Sequence, residues 1–182
     1  LFITLHGEWV PQADDLVRSA LRSADWVAGC SDAILKVGQR LEPDIIPRSC
    51  VIYNGVEEPF TTPEPLPVDT QRVVCLGRMS QEKGFDLALA AFALLVKRFP
   101  RGCLVFAGDG PARRHLEKQA TALGVAHLVD FLGWVSSDRL PALFNACTAI
   151  VMPSRQEAFP LVALEAGLMA RDARVDGQPV PL

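Results

Sequence analysis

The sequence predicts an α/β fold in which helices cover both faces of a parallel sheet. From Arg72 onward, four strand–loop–helix units follow one another, and this alternation is typical of parallel sheets. The predicted strands are almost continuous apolar runs, such as CLVFA at Cys103–Ala107, which indicates burial on both faces. Hydrophobic residues make up 49% of the chain and charged residues 21%, so a well-buried core is expected rather than disorder.

The first part of the chain shows the same alternation in a shorter form. Apolar runs predict three short strands at residues 1–5, 24–30 and 49–52. Helical spacing is visible in Asp14–Ser23, and Ser31 predicts the capped start of a second helix that runs through Gly38. The sequence therefore predicts a fragment of one α/β domain ahead of the main sheet.

Residues 57–70 have a different composition. Four prolines lie among threonines and glutamates, namely Pro59, Pro63, Pro65 and Pro67. Few side chains here can be buried, so the stretch predicts an extended linker. We therefore expect the end of one domain at residues 1–58, a proline-rich linker at 59–67, and a second domain at 68–182 that is truncated at its C-terminal end.

The second domain is predicted to alternate regularly between strands and helices. The strands are expected at residues 72–76, 103–107, 128–132 and 148–152, and the helices at 85–99, 111–123, 137–146 and from Pro160 onward. Right-handed crossovers bring the connecting loops to the carboxyl edge of a parallel sheet, where such folds bind ligands. We therefore expect five side chains from these loops to be neighbours around one crevice: Arg78, Lys83, Asp109, Trp134 and Glu157.

Composition excludes several classes of function. The net charge of -3 argues against a nucleic-acid binder that relies on bulk positive charge. The five cysteines are widely spaced and form no CxxC pair, which predicts buried free thiols in a reducing compartment. No apolar run has the length of a membrane span. The chain starts at Leu1, inside a predicted strand, so we expect it to be a fragment of a longer protein.

Two cations lie in the loop that precedes the first helix of the second domain. Arg78 supplies a planar fork for phosphate oxygens and Lys83 a point charge, while the helix N-terminus adds N–H donors. The alternative is a pair of surface cations beside a turn. Gly108-Asp109-Gly110 either approaches a phosphate with its backbone or simply forms a tight turn, since no GxGxxG or GxxxxGKS motif is present. Arg113, Arg114 and Lys118 are expected to form a solvated helix face.

The segment VMPSRQEAFPLVALEAG at residues 151–167 carries two glutamates eight positions apart. Glu157 is predicted in a strand-to-helix loop, and Glu165 inside the helix, where an apolar environment requires a partner for its charge. The alternative is a helix-start acid plus a solvated glutamate. His6 follows the first strand, where it either faces a ligand or satisfies loop backbone groups. No HExxH, DxD or GxSxG motif occurs, so no metal is expected.

Taken together, several stretches of the sequence resemble family 4 of the retaining glycosyltransferases, which have the two-domain GT-B fold. The similar stretches are ADWVAGCSDAIL (24–35), VIYNGVE (51–57), LGRMSQEKGFDLALAAF (76–92), FAGDGPARRHLE (106–117), VDFLGWV (129–135) and MPSRQEAFPLVALEAG (152–167). The resemblance covers residues 1 to about 170. It implies two Rossmann-like domains, with the acceptor-side domain represented by its end and the nucleotide-sugar domain by its larger part.

The resemblance also implies roles for individual residues. Arg78 and Lys83 would hold the diphosphate of the donor, and Glu165 its ribose. Glu157 would contact the transferred sugar, and His6 would face the sugar and phosphate, so these two are the expected catalytic residues. The remaining expected donor-binding residues lie in the same loops, and they are Gly77, Gly108, Trp134 and Val135.

The implied function is sugar transfer from a UDP- or GDP-linked donor with retention at the anomeric carbon, without a metal or cofactor. The acceptor is left open as a sugar, a lipid or a small molecule, in the cytoplasm or at the inner face of a membrane with which the parent protein associates peripherally. No nucleic acid is expected. The alternatives are a non-catalytic nucleotide-sugar-binding fragment or scaffold subunit, and another GT-B enzyme such as an epimerase or a phosphorylase.

The end of the chain departs from the family pattern. After Gly167 the family continues with an apolar strand and a Gly-Gly loop, whereas this chain ends in LMARDARVDGQPVPL. We expect residues 171–182 to be irregular and poorly packed. Because acceptor-side residues also precede Leu1 in the family, the fragment is expected to bind donor in part and to transfer sugar weakly or not at all.

Overall fold

The computed structural model describes residues 1–7, 13–57, 64, 67, 71–169, 174–175 and 178–179. The chain forms two compact units, each described by itself below. The first unit comprises Leu1–Val56 and Glu157–Leu161, and the second comprises Glu57–Gln156 and Val162–Leu182. Sequence analysis assigns residues 157–161 to the second domain, whereas the structure groups them with the first unit. Most of the predicted linker at 59–67 lies outside the described residues.

The first unit is a three-stranded parallel sheet with helical connections. Its elements are β1 (Phe2–Leu5), α1 (Asp14–Ser23), β2 (Trp26–Gly29), α2 (Asp32–Leu41), a 3-10 helix (Pro43–Arg48) and β3 (Ser49–Val51). The strand order is β1-β2-β3, and both pairs are parallel. Ser31 caps α2 as expected, because its hydroxyl accepts a hydrogen bond from the Ile34 N–H at 3.3 Å.

The core of the first unit explains why residues 157–161 belong to it. Leu21, Val27 and Ile45 are almost fully buried between sheet and helices. Ala158 and Phe159 pack against this cluster. The Phe159 ring also stacks on Tyr53 with 5.8 Å between the ring centroids. The apolar residues beside Glu157 thus find their core in the first unit.

The second unit is a four-stranded parallel sheet. Its strands are β4 (Arg72–Leu76), β5 (Cys103–Ala107), β6 (Val129–Gly133) and β7 (Ala149–Ile150). Its α-helices are α3 (Phe85–Leu95), α4 (Arg113–Ala122), α5 (Leu140–Asn145) and α6 (Leu161–Leu168), which begins at the last residue of the 157–161 segment. The strand order is β6-β5-β4-β7, and all three pairs are parallel.

Helices cover both faces of this sheet, as the apolar strands predict. On one face Phe106 is fully buried and makes edge contacts with Phe85 at 4.9 Å and Phe131 at 5.4 Å between ring centroids. On the other face Val74 and Val105 pack with Cys147, Leu143 and Ile150. The fold class predicted from the sequence is confirmed.

Several predicted boundaries are corrected. The helix expected at 85–99 ends at Leu95, and the one expected at 137–146 divides into a 3-10 turn (Ser137–Arg139) and α5. The strand expected at 148–152 is only Ala149–Ile150, because Pro153 follows closely and has no N–H for the ladder. The tail expected to be irregular contains an antiparallel pair, β8 (Arg174–Val175) and β9 (Gln178–Pro179). The Asp-Gly between these strands is a hairpin signal that the prediction did not use.

All five cysteines are free thiols, as predicted, but the expected burial holds for only three of them. Cys30, Cys75 and Cys147 are buried, whereas Cys50 and Cys103 are partly exposed. Burial raises the pKa of the Cys75 thiol to about 12, so this side chain stays protonated and inert at neutral pH. In the part of the chain that is described, none of the helices has both the length and the apolar character that crossing a membrane requires.

We expect Phe106→Ala to lower the free energy of unfolding by about 3–5 kcal/mol, because it removes the ring that joins Phe85 to Phe131 in a fully buried site. Denaturant unfolding followed by Trp fluorescence measures the change. Phe99→Ala is the matched control, since Phe99 is 43% exposed and its loss should cost far less. Equal costs for the two variants would contradict this description of the core.

Candidate functional site

The loops that follow β4, β5 and β6 are tied together at the carboxyl edge of the second unit. The Gly77 N–H donates to the Ala107 carbonyl at 2.9 Å, and the Met79 N–H donates to the Asp109 carbonyl at 2.9 Å. The Gly108 N–H donates to the Gly133 carbonyl at 2.7 Å. Three connections that are distant in sequence therefore form one backbone platform, as the crossover argument predicts.

Gly108 permits the closest of these approaches. Its φ is 130°, and a Cβ atom at this position would lie 1.9 Å from the Gly77 carbonyl oxygen. Any other residue would therefore force the two loops apart. The neighbouring Asp109 carboxylate accepts hydrogen bonds from the Gly110 N–H at 2.7 Å and from Arg113 at 3.2 Å. Asp109 thus stabilises its own loop.

The loop between β4 and α3 carries both predicted phosphate-binding cations. Arg78 has a side chain that is 71% exposed and lies 3.4 Å from the Glu82 carboxylate. Lys83 ends a 3-10 turn (Gln81–Lys83), and Gly84 then leads into α3. The pKa of Glu82 lies below its usual range, mainly because the Ser80 side chain forms a hydrogen bond with its carboxylate. The charge of Arg78 contributes less to this lowering. Lys83 thus lies directly before the N-terminus of α3, an end that favours anions, and Arg78 lies earlier in the same loop.

Residues 153–156 contact this same loop. The Arg155 N–H donates to the Glu82 carbonyl at 2.7 Å, and the Arg155 Nη1 atom donates to the Gln81 carbonyl at 2.9 Å. The guanidinium of Arg155 also forms a two-pronged pair with the Asp86 carboxylate, with both distances at 2.7 Å. Sequence analysis missed these contacts, although Arg155 lies inside the glutamate segment and Asp86 lies in the first turn of a predicted helix.

Glu165 lies in α6 of the second unit and is half-buried. Among the residues that the structure describes, none forms a hydrogen bond or ion pair with its carboxylate. Burial raises the pKa of this carboxyl above its usual value. A half-buried acceptor of this kind favours a ligand that donates hydrogen bonds to it.

The end of β6 presents an aromatic side chain. Trp134 is 79% exposed, and Val135 beside it is half-buried. Arg113 anchors the strand, because its Nη2 atom donates to the Phe131 carbonyl at 3.3 Å and its guanidinium lies 5.8 Å from the Phe131 ring centroid. The expectation that Arg113 belongs to a solvated face is wrong, whereas Arg114 and Lys118 are exposed as predicted.

His6 and Glu157 lie in the first unit. His6 is exposed directly after β1, at the carboxyl edge of the three-stranded sheet. Glu157 is exposed at the start of the 157–161 segment. The seven predicted donor-binding residues all lie in the second unit. The structure therefore brings the loops of Gly77, Gly108 and Gly133 together and describes the two expected catalytic residues in a separate unit.

No group of three or more His, Cys, Asp or Glu residues suited to a metal ion occurs within the described parts of the chain.

The second unit has a further feature of nucleotide-binding α/β proteins. Its strand order reverses between β4 and β7, and such switch points form ligand crevices at the carboxyl ends of the strands. Fold and site together therefore define an open α/β sheet with a candidate ligand crevice at its switch point.

Comparison with known families places the chain within this class. The model of the family "Glycosyl transferases group 1" matches residues 57–170, which is more than half of the chain. The chain belongs to this family.

Curated relatives agree with the family assignment. An uncharacterised glycosyltransferase of Methanocaldococcus jannaschii is 35% identical over 129 residues, which cover 64% of this chain and 33% of the relative. Glycogen synthase of Mycobacterium tuberculosis is 30% identical over 171 residues, which cover 88% of this chain and 41% of the relative. The chain thus spans roughly a third to two-fifths of the length of these relatives.

Solved structures confirm the fold. HepE of Anabaena, crystallised with UDP and glucose, superposes with a TM-score of 0.77 at 24% identity over 95% of this chain and 52% of HepE. TarM of S. aureus superposes with a TM-score of 0.79 at 16% identity over 94% of this chain and 36% of TarM. The α/β arrangement of the chain is that of GT-B glycosyltransferases.

We expect Glu165→Gln to raise the free energy of unfolding at pH 7. Burial holds the pKa of Glu165 in the folded chain above its unfolded value of about 4.3. The parent chain therefore loses stability as the pH rises from the unfolded pKa through the folded pKa. The glutamine variant lacks this loss. Denaturant unfolding at pH 7 and near pH 4 should show the gain at pH 7 and little difference at pH 4.

Asp138→Asn removes one negative charge at an exposed position and is the control, with no gain expected at pH 7. A Glu165→Gln variant that is no more stable than the parent chain at pH 7 would contradict the assigned environment.

Proposed function

We propose that the parent protein is a retaining glycosyltransferase of family 4 that uses a UDP- or GDP-linked sugar, and that the second unit binds the donor. The observation that carries the proposal is the β4–α3 loop, where Arg78 and Lys83 lie near a helix N-terminus beside a switch point. Relatives include a GDP-mannose-dependent mannosyltransferase of Mycolicibacterium smegmatis, 33% identical over 112 residues, and HepE was crystallised with UDP and glucose. These names support a nucleotide-sugar donor.

In this proposal Arg78 and Lys83 bind the diphosphate. The guanidinium of Arg78 is exposed, and among the described residues its ion-pair partner is Glu82 at 3.4 Å, so a phosphate can compete for it. The protein as a whole is acidic, and the local pair of cations supplies the attraction that the net charge does not. Gly77 and Gly108 lack side chains where the phosphates would approach the backbone platform.

The nucleoside is assigned to the neighbouring side chains. Glu165 accepts hydrogen bonds from the ribose hydroxyls, which would offset the cost of its half-buried charge in α6. The exposed ring of Trp134 and the backbone of Val135 contact the base at the end of β6. These assignments agree with the roles implied by the family resemblance.

The chemistry is transfer with retention at the anomeric carbon. The bond between this carbon and the donor phosphate oxygen breaks, and an oxocarbenium-like state develops while Arg78 and Lys83 stabilise the departing charge. The acceptor hydroxyl oxygen then bonds to the anomeric carbon on the same face of the sugar, and its proton passes to the departing phosphate oxygen. His6 and Glu157 are assigned to the sugar by resemblance, and no metal or cofactor is part of the proposal.

The proposal leaves the acceptor open between a sugar, a lipid and a small molecule. A cytoplasmic site of action, with peripheral membrane association when the acceptor is a lipid, belongs to the same proposal. The alternative to the proposed transferase is a protein that binds a nucleotide sugar without transferring the sugar. Donor turnover by the parent protein, measured as release of nucleoside diphosphate, separates these two outcomes.

We expect UDP or GDP to raise the thermal unfolding midpoint of the chain, because a ligand that binds only the folded state stabilises it. The double variant Arg78→Ala/Lys83→Ala should weaken binding by about 3 kcal/mol, since a charge-assisted hydrogen bond is worth about 1.5–3 kcal/mol. Titration calorimetry measures the affinity.

Arg114→Ala/Lys118→Ala removes the same charge from an exposed face of α4 and is the matched control. The control should bind like the parent chain. Equal affinities of the Arg78/Lys83 variant and the control would overturn the diphosphate assignment.

We expect the two glutamates to have separable effects. Glu165→Gln should weaken binding of the bare nucleoside diphosphate, because the ribose hydroxyls lose a charged acceptor. Glu157→Gln should leave that affinity unchanged and weaken binding of the nucleotide sugar. Calorimetry with both ligands on both variants measures the difference, and equal effects on the bare nucleotide would show that the assigned roles are wrong.

A further inference from the structure

Arg155 forms several side-chain hydrogen bonds to the turn before α3 and to the first turn of that helix. Its Nη1 and Nη2 atoms lie 2.7 Å from the two oxygens of Asp86, with side chains that are 37% and 36% exposed. The same Nη1 atom donates to the Gln81 carbonyl at 2.9 Å. A planar guanidinium fork matches a carboxylate in this way, whereas a lysine ammonium does not.

The backbone of the same segment adds further bonds. The Arg155 N–H donates to the Glu82 carbonyl at 2.7 Å, and the Gln156 N–H lies 3.4 Å from the same oxygen. The carbonyls of Gln81 and Glu82 directly precede Lys83, and Asp86 follows it by three residues. The segment around Arg155 therefore holds the chain on both sides of Lys83.

Gly84 shows how close the two loops are. Its φ is 65°, and a Cβ atom would lie 2.1 Å from the Pro153 carbonyl oxygen. The connection leaving β7 therefore packs directly on the turn that precedes α3. Neither loop can shift without breaking the contacts of the other.

We propose that Arg155 is a positioning residue for donor binding: it fixes the β4–α3 loop to the segment that follows β7, and so holds Lys83 in place for a diphosphate. This inference rests on the proposed function. The side-chain bonds of Arg155 end on the Gln81 carbonyl and on Asp86, which lie on either side of Lys83, so their geometry points to alignment of this loop. The Arg155 hydrogen bond also holds the pKa of Asp86 below its usual range, which keeps the pair charged at neutral pH.

Substitution of Asp86 tests the proposal, because two explanations of its role predict opposite changes in anion affinity. Asp86 is an acid in the first turn of α3, the end to which the proposed diphosphate binds. On charge alone, Asp86→Asn should tighten the binding of an anion. If Asp86 instead serves to hold Arg155, the same substitution should weaken binding.

The experiment measures UDP and GDP affinities of Arg155→Ala, Arg155→Lys, Asp86→Asn and the double variant Asp86→Asn/Arg155→Ala in the full chain. We expect an approximately tenfold loss for Arg155→Ala, a smaller but clear loss for Asp86→Asn, partial recovery with lysine, and a double variant no weaker than Arg155→Ala. Arg98→Ala, which removes an exposed cation elsewhere in the second unit, is the control.

Hydrogen exchange of the chain without nucleotide supplies a readout that does not depend on the ligand. Arg155→Ala should speed exchange at the amides of Lys83 and Gly84, while the unfolding midpoint changes little. Unchanged exchange, unchanged affinity, or tighter binding by Asp86→Asn would overturn the positioning role. Failure of the unsubstituted chain to bind either nucleotide would overturn the proposed function itself, and this result is seen before any substitution is made.

Discussion

The position of β4 inside the four-stranded sheet is the constraint on which the second unit depends. β4 pairs with β5 on one side and with β7 on the other. The chain first moves away from β4 through β5 and β6 and then returns to its opposite edge, so the loops after β4 and β7 diverge at one point of the sheet. Val74 and Val105, which are almost fully buried, hold the strands in this order. A binding crevice at the carboxyl edge follows from this topology.

Close backbone approach then makes the edge rigid enough to hold charged groups. Gly108 lies against the Gly77 carbonyl and Gly84 against the Pro153 carbonyl, at distances that no Cβ atom would tolerate. The loop that leaves this platform carries both Arg78 and Lys83, and Lys83 ends the short 3-10 turn before α3. Because the whole chain is acidic, attraction of an anion depends on this local arrangement and not on the net charge.

The segment at residues 155–165 contains both glutamates, and its parts lie in two different environments. The Arg155 side of the segment has its partners in the second unit, whereas Ala158 and Phe159 pack into the core of the first. Glu157 therefore lies exposed in the first unit, and Glu165 is half-buried in α6 with a raised pKa. Eight positions of sequence separate two carboxylates that differ in burial and, in our proposal, in role.

The sequence by itself determined the fold class, the strands β4 and β5 to the residue, and the loops that carry Arg78, Lys83 and Trp134. Apolar runs, caps and glycines are local signals, and they predict local structure well. Only the tertiary structure decided the partners of Arg155, because Asp86 lies 69 residues away and either side chain alone resembles a solvated charge. It also decided that Phe159 packs in the first unit, since an apolar pattern indicates burial without specifying which core receives the side chain.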